Sequence, residues 1–186
     1  ALHSLSLLRV VDIRPGEGAF VRDSQKEGSI EAFLLAVMSE EGLDARLMAE
    51  ALEARRLLEV PLAGWAAESA TKEDVARLSE IYSRMEKAYQ AGDASYIELD
   101  WEFHLAIDHM GGRRLLPRLL TTFYSMFRGK FYSMFVEMGK YHFSLEEHRK
   151  IISAIERKDP AAARRAVSAH LSGVEGFLES DSNHAD

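Results

Sequence analysis

Residues 96–110, YIELDWEFHLAIDHM, place an acid and an imidazole on what should be the apolar face of a buried helix. Ile97 and Trp101 recur at helical spacing, and Asp100 and His104, four residues apart, fall on the same stripe. An ionised carboxylate that leaves water destabilises a fold unless it is paired, hydrogen-bonded or bound to a cation. The stretch therefore predicts a helix whose buried face carries half of a metal site.

Two histidines near the C-terminus supply the other half of this site. His148 and His170 each fall on the apolar stripe of a predicted helix, and the break between the two helices lies at Asp159. Each histidine is roughly ten residues from the break, or about 15 Å along its own helix at 1.5 Å per residue. In an antiparallel hairpin the two imidazoles therefore arrive at the same height, where Asp100 and His104 can join them in a bundle interior.

Three imidazoles and one carboxylate form a nitrogen-rich ligand set. The sequence contains no cysteine, so any metal must be held by nitrogen and oxygen. Zn, Ni, Co, Mn and Fe(II) all suit such a set, with zinc as our first choice, and the sequence alone does not select among them. A single histidine on an apolar face is more often a hydrogen-bonded core residue, but four stripe positions together favour a divalent metal ion.

Arg55 is expected on the inner side of a long helix, where a buried guanidinium requires an acidic partner. One interpretation is a salt bridge to Glu59, four residues on, or to Asp100. The other is a role in holding an anionic ligand. The sequence leaves both open.

The chain divides by pattern into four parts. Residues 1–22 contain two short β-rich runs joined by a Pro- and Gly-containing turn, which predicts a hairpin. Residues 23–29 are a polar linker. Residues 30–179 are helical with short loops, which predicts an all-α antiparallel bundle of about seven helices. Residues 180–186 should form a disordered tail.

Capping and breaking residues place the helix ends. Thr71 with Asp74 predicts a helix start, Asp93 is a plausible cap for the central helix, and Pro160 begins the last helix. A kink or break is expected near Pro61. The predicted helices span residues 30–38, 43–70, 71–91, 93–110, 113–139 with an interruption at Gly129, 144–158 and 160–178.

The charge balance limits the partners. The formal net charge is -7 and the pI is near 5.5, which argues against a broad nucleic-acid surface formed by these residues alone. No apolar run is long enough for a membrane helix, and the N-terminus lacks a signal pattern. These features predict a cytoplasmic protein that does not contact the membrane.

One segment is richer in apolar residues than a single buried face requires. Residues 123–138, FYSMFRGKFYSMFVEM, are dominated by aromatic residues and methionine. Burial on both sides is the first interpretation, and a dimer surface is the alternative.

Several motifs, taken together, resemble a known family. The segment RPGEGAFV is similar to the wing hairpin that closes the winged helix-turn-helix of GntR-family transcription regulators. The region of residues 29–178 resembles the effector-binding C-terminal domain of the FadR subgroup, the FCD type. The motifs that carry the resemblance are EARRLLE at 53–59, then WAAESAT, DWEFH at 100–104, EHRKIISAI at 147–155 and AH at 169–170.

The resemblance implies functions for particular residues. Metal-binding members of the family hold a divalent ion with one Asp and three His, and the matching residues are the four that the stripe pattern selects. The resemblance also implies that Arg55 contacts the carboxylate of a small organic-acid effector. One departure is visible, since the turn Gly111-Gly112-Arg113 replaces the Asn that the family usually carries.

The same resemblance implies a ligand-responsive bacterial transcription regulator that acts as a homodimer on operator DNA. Most of the winged domain would lie upstream of Ala1, leaving Arg9, Arg14 and Arg22 as DNA contacts. Effector binding would alter the spacing of the two DNA-binding heads through the linker at residues 23–29. Two alternatives are a metal-dependent enzyme, which the absence of H-E-x-x-H and Glu-x-x-His pairs disfavours, and a purely structural metal.

Overall fold

The computed structural model describes residue 6 and residues 10–22, 45–137 and 145–182. The chain divides into two compact units, Ala1–Met48 and Ala49–Asp186. The predicted linker at residues 23–29 and the predicted helix at residues 30–38 lie outside the described residues. None of the helices in the described ranges is both long enough and apolar enough to cross a membrane.

The first unit contains a β-hairpin and the first residues of a long helix. Strands β1 (Val11–Arg14) and β2 (Gly18–Val21) pair antiparallel, as the two β-rich runs predict. The connecting turn requires glycine, because Gly16 and Gly18 have φ angles of 81° and 119°.

Six helices are present in the described part of the chain, and they confirm the predicted all-α bundle. The helices are α1 (Ala45–Ser69), α2 (Lys72–Ala91), α3 (Ser95–Met110), α4 (Leu115–Glu137), α5 (Leu145–Glu156) and α6 (Pro160–Ser182). The short loops between α2 and α3 and between α5 and α6 make each pair an antiparallel hairpin.

Two expected interruptions do not break the helices. α1 continues through Pro61, and α4 continues through Gly129. Leu62 and Ala63, which follow the proline, are fully buried. Packing of this face offsets the hydrogen bond that proline cannot make, since tertiary contacts supply most helix stability in proteins.

The capping residues confirm two of the three predicted helix starts. Thr71 and Asp74 form a complete capping box at α2, and Pro160 is the first residue of α6. The central helix differs by one residue, because Ala94 occupies its cap position without a side-chain hydrogen bond. Asp93 still accepts a hydrogen bond from the Ser95 N–H at 2.9 Å.

The last helix is longer than expected. α6 ends at Ser182, beyond the predicted end at residue 178 and three residues into the predicted tail at 180–186. The remainder of that tail lies outside the described residues.

The hydrophobic core joins all the helices of the second unit except α4. Its fully buried members include Ala63, Ala66, Ala67, Leu78, Met85, Phe103, Ile151, Ile155, Ala163 and Val167. The alanines of α1 bring its backbone close to its neighbours.

The turn after α3 requires glycine at two positions. A Cβ on Gly111 would lie 3.1 Å from the Cβ of Trp65, and Gly112 has φ 64°. Close approach and a left-handed residue explain the Gly-Gly turn that departs from the family pattern.

Among the described side chains of the aromatic and methionine-rich segment, the buried ones lie at its start and two exposed ones lie further on. Tyr124, Met126 and Phe127 are buried, whereas Tyr132 and Val136 are 36% and 39% exposed. Burial therefore accounts for the first part of the segment, and a dimer surface stays a prediction for the second.

Candidate metal centre

Helix α3 carries a buried column of ionisable side chains. Asp100, His104 and Asp108 follow one another at four-residue spacing, and their exposed fractions are 7%, 1% and 1%. Four residues correspond to about 6 Å along a helix, so the three side chains lie on one face. The sequence predicts the first two members of this column as a buried acid and imidazole, and the structure places them there.

Helices α5 and α6 bring two further imidazoles to this column. Lys158, with φ 55°, turns the chain between them, and His148 and His170 are both buried. Their ring centroids lie 4.4 Å apart, and that of His170 lies 4.9 Å from that of His104. The two histidines therefore lie opposite each other in the hairpin, as the sequence predicts.

The three imidazoles direct the same ring nitrogen toward one oxygen. The Nε2 atoms of His148, His170 and His104 lie 2.8, 3.8 and 3.9 Å from Asp100 Oδ1. One possible ligand atom from each of the four residues lies within 4.8 Å of all the others. This arrangement is a set of three nitrogens and one oxygen that could hold a divalent cation.

Unpartnered atoms test whether the set fits a cation. His104 Nε2 and His170 Nε2 are buried and have no hydrogen-bond partner. Each such atom costs about 1–3 kcal/mol, because the water lost on burial is not replaced. A bound cation would satisfy both lone pairs, so the residues fit a metal ion.

The surroundings of Asp100 and His170 favour the protonation states in which these side chains bind metal. Although burial alone would raise the pKa of Asp100, the hydrogen bond from His148 and the charges of all three histidines lower it well below the ordinary value. Burial, followed by repulsion from His148, lowers the pKa of His170 to about 4. Near neutral pH the carboxylate is ionised and the His170 ring is neutral, and these are the forms that bind metal.

Two carboxylates contact the Nδ1 atoms of two imidazoles and so orient their rings. Glu59 Oε2 lies 2.8 Å from His104 Nδ1, and Glu147 Oε2 lies 3.3 Å from His170 Nδ1. These contacts assign the proton to Nδ1 and leave Nε2 with its lone pair. Neither role is predicted from the sequence, in which Glu59 is expected only as a partner of Arg55.

Arg55 lies beside the candidate metal-ligand set and forms hydrogen bonds through its Nε atom only. Its Nε donates to Glu59 Oε1 at 2.6 Å and to the Tyr124 hydroxyl at 3.1 Å. Its Nη2 lies 3.8 Å from Asp100 Oδ2 and has no hydrogen-bond partner. The salt bridge to Glu59 is therefore present together with a longer ion pair to Asp100, and Nη2 still has a hydrogen bond to donate to a ligand.

The environment of Arg55 keeps its charge in place. Burial alone would lower the pKa of Arg55, but Glu59 and other nearby acidic groups raise it above the ordinary value. Although burial alone would raise the pKa of Glu59, Arg55 and His104 lower it to about 2. The Tyr124 hydroxyl also donates to Glu59, and the Trp101 ring lies against Tyr124 with centroids 4.4 Å apart.

The hairpin arginines belong to a separate unit. Arg14 Nε and Arg22 Nη2 lie 3.3 and 3.5 Å from the carboxylate oxygens of Asp12. Arg9 lies outside the described residues. Contact of these arginines with DNA stays a prediction.

The sequence of this chain is similar to a known domain family and to named transcription regulators. Residues 50–173 match the FCD domain family. The chain is 28% identical to the Uxu operon regulator of Haemophilus influenzae over 94% of this chain, and it spans 64% of that protein's length. It is 28% identical to the galactonate operon transcriptional repressor of Escherichia coli, covering 88% of this chain and 72% of that protein.

A solved structure supports the same relationship. The structure of Streptococcus agalactiae GntR superposes with a TM-score of 0.66 at 26% sequence identity. The match covers 95% of this chain and 78% of that one. The fold is therefore shared with a solved regulator of this type.

Proposed function

We propose that this chain, which belongs to the FCD domain family of GntR-type transcription regulators, senses a small carboxylate and thereby controls DNA binding. The relatives are named as regulators, so the assignment is to a regulator and not to an enzyme. In this proposal the helical unit binds a divalent metal ion, zinc in the first instance, together with the effector. Because the partner is DNA, we expect the protein in the cytoplasm.

The buried ligand set is the observation that carries the proposal. Asp100, His104, His148 and His170 would hold the ion, since two of their ring nitrogens are buried without partners. When bound, the ion would supply a Lewis acid to which a carboxylate oxygen can bind. Glu59 and Glu147 keep the imidazoles in the required tautomer.

Arg55 gives the site its preference for an anion. Its Nη2 lies 3.8 Å from Asp100 Oδ2 and has no hydrogen-bond partner, and a guanidinium matches the geometry of a carboxylate. The name of one relative refers to galactonate, which is itself a carboxylate. We therefore propose a small organic acid as the effector, held by Arg55 on the side of the metal ligands.

The route from the site to the DNA begins on α1. Arg55 and Glu59 both lie on this helix, which is the first described helix after the hairpin in sequence. An acid that pairs with Arg55 changes the charge balance on α1 and can stabilise one arrangement of the helix over another. In a homodimer, such a shift would alter the spacing of two DNA-binding heads and hence operator affinity.

A purely structural metal is the competing function, and thermal unfolding separates the two. For a sensor, the metal-loaded chain should be stabilised further by at least one member of a panel of organic acids, because a ligand that binds only the folded state raises its melting temperature. A chelator should remove this additional effect. If every acid leaves the melting temperature of the metal-loaded chain unchanged, the sensing proposal is wrong and the structural metal remains.

A further inference from the structure

All buried side-chain polar atoms without a hydrogen-bond partner in the described part of the chain lie in one cluster. They are Arg55 Nη2, Glu59 Oε2, His104 Nε2, Asp108 Oδ2 and His170 Nε2. Glu59 Oε2 lies 2.8 Å from His104 Nδ1, so it is partnered once that nitrogen carries the proton. Four atoms remain.

The proposed ligands account for three of the four atoms. A cation satisfies the two imidazole nitrogens, and the effector carboxylate satisfies Arg55 Nη2. Asp108 Oδ2 remains without a partner. Buried polar groups in native proteins are almost always partnered, so this carboxyl oxygen requires an explanation.

Asp108 has the position of a residue that contacts the ligand. It lies one helical turn beyond His104 on the same face of α3, about 6 Å along the axis. It is 1% exposed, and the charges of Glu59 and Arg55 both act on it. A hydroxyl group would satisfy its oxygen without adding a charge, and burial together with the charge of Glu59 raises the pKa of Asp108 well above its ordinary value.

We infer that the effector is a hydroxycarboxylate with a hydroxyl group well separated from its carboxylate, and that Asp108 binds this hydroxyl. The inference rests on the carboxylate site proposed above. Asp108 lies one helical turn, about 6 Å along α3, beyond His104, so a hydroxyl several carbons away from a carboxylate held at the metal ligands would reach it. The effector is therefore a hydroxy acid with a hydroxyl several carbons from its carboxylate, as in a sugar acid, and not a short 2-hydroxy acid.

Calorimetric titration of the zinc-loaded chain tests this inference. The probes are the six-carbon aldonic acids galactonate and gluconate, and 2-hydroxyhexanoate, which has the same chain length but a hydroxyl only beside the carboxylate. The wild-type chain should bind at least one aldonate at least tenfold more tightly than 2-hydroxyhexanoate. Asp108→Ala should weaken that aldonate by about 10- to 100-fold, because a hydrogen bond to an ionisable group is lost, and should leave 2-hydroxyhexanoate unchanged.

Two controls separate recognition from folding. Without zinc or acid, Asp108→Ala should melt at or above the wild-type temperature, since it removes a buried unpartnered group. Asp108→Asn, which keeps a donor and an acceptor, should retain part of the aldonate affinity. Wild-type aldonate affinity in Asp108→Ala would overturn the inference.

The remaining outcomes distinguish this inference from the proposed function. If the acids bind equally well, and binding is lost in Arg55→Ala but not in Asp108→Ala, the carboxylate site stands and the assignment of Asp108 falls. If no acid binds the zinc-loaded wild-type chain, the carboxylate site itself is wrong and the assignment of Asp108 falls with it.

Discussion

Zinc at about a thousandfold excess over its Kd should raise the free energy of unfolding of this chain by about 4 kcal/mol. The reason is that the four ligands converge only in the folded state, where Asp100 and the three imidazoles come together from α3, α5 and α6. For a chain of this size the increase corresponds to a rise in melting temperature of about 8–16 °C. Thermal melts followed by circular dichroism, with zinc and with a chelator, measure this difference.

A pair of histidine variants makes this prediction specific. His148→Ala should abolish most of the zinc-induced rise, because it removes a fully buried ring whose Nε2 lies 2.8 Å from Asp100 Oδ1. His109→Ala should leave the rise intact, because His109 is an exposed residue of α3 whose ring nitrogen lies 2.7 Å from the Leu105 carbonyl oxygen. Equal zinc responses in the two variants would show that zinc binds elsewhere.

Replacing Arg55 with Ala should have two large effects. Acid-dependent stabilisation of the metal-loaded chain should disappear, because the free guanidinium donor is lost. The chain without ligand should also lose about 3 kcal/mol of stability, since Glu59 remains buried after its charged partner has gone. This value is at the low end of the range for broken buried pairs because Tyr124 and His104 still contact Glu59. Denaturant unfolding and calorimetry measure the two effects.

Neighbouring variants control for the loss of stability. Arg56→Ala removes a half-buried arginine from the adjacent position of α1 and should keep the acid response. Arg55→Lys keeps the positive charge but loses the bidentate hydrogen-bond geometry of the guanidinium. This variant should therefore be more stable than Arg55→Ala and should still bind acid, although weakly. An undiminished acid response in Arg55→Ala would remove Arg55 from the effector site.

The four metal-ligand candidates could be selected from the sequence because their geometry is periodic. Asp100 and His104 share a stripe by their four-residue spacing, and His148 and His170 are level because they are equidistant from one turn. Each step needs only the helical repeat and a short loop. The same reasoning succeeds for the helix starts at Thr71 and Pro160, which depend on local residues.

The outer contacts could not be selected in this way because they join distant segments. Tyr124 reaches Glu59 across 65 residues of sequence, and nothing in the spacing of α1 or α4 specifies that meeting. Asp108 did give a signal, since it continues the stripe of α3 one turn beyond His104. The spacing does not reveal that its Oδ2 is buried without a hydrogen-bond partner, and this observation distinguishes it from an ordinary core position.

Of the kink or break expected near Pro61, the break is absent, because α1 is continuous there. Local chemistry predicts a weakened helix there, because proline removes one hydrogen bond. The residues around it, including Leu62, Ala63 and Ala66, are fully buried, and their packing keeps α1 continuous. Tertiary contacts therefore override a local preference that a single sequence displays plainly.

Anomalous scattering from crystals of the zinc-loaded chain, recorded at the zinc edge, tests the central claim most directly. We expect a strong peak surrounded by the Nε2 atoms of His104, His148 and His170 and a carboxylate oxygen of Asp100, each at about 2.0–2.2 Å. Anomalous density only at exposed residues such as His109, with no peak among these four side chains, would contradict it.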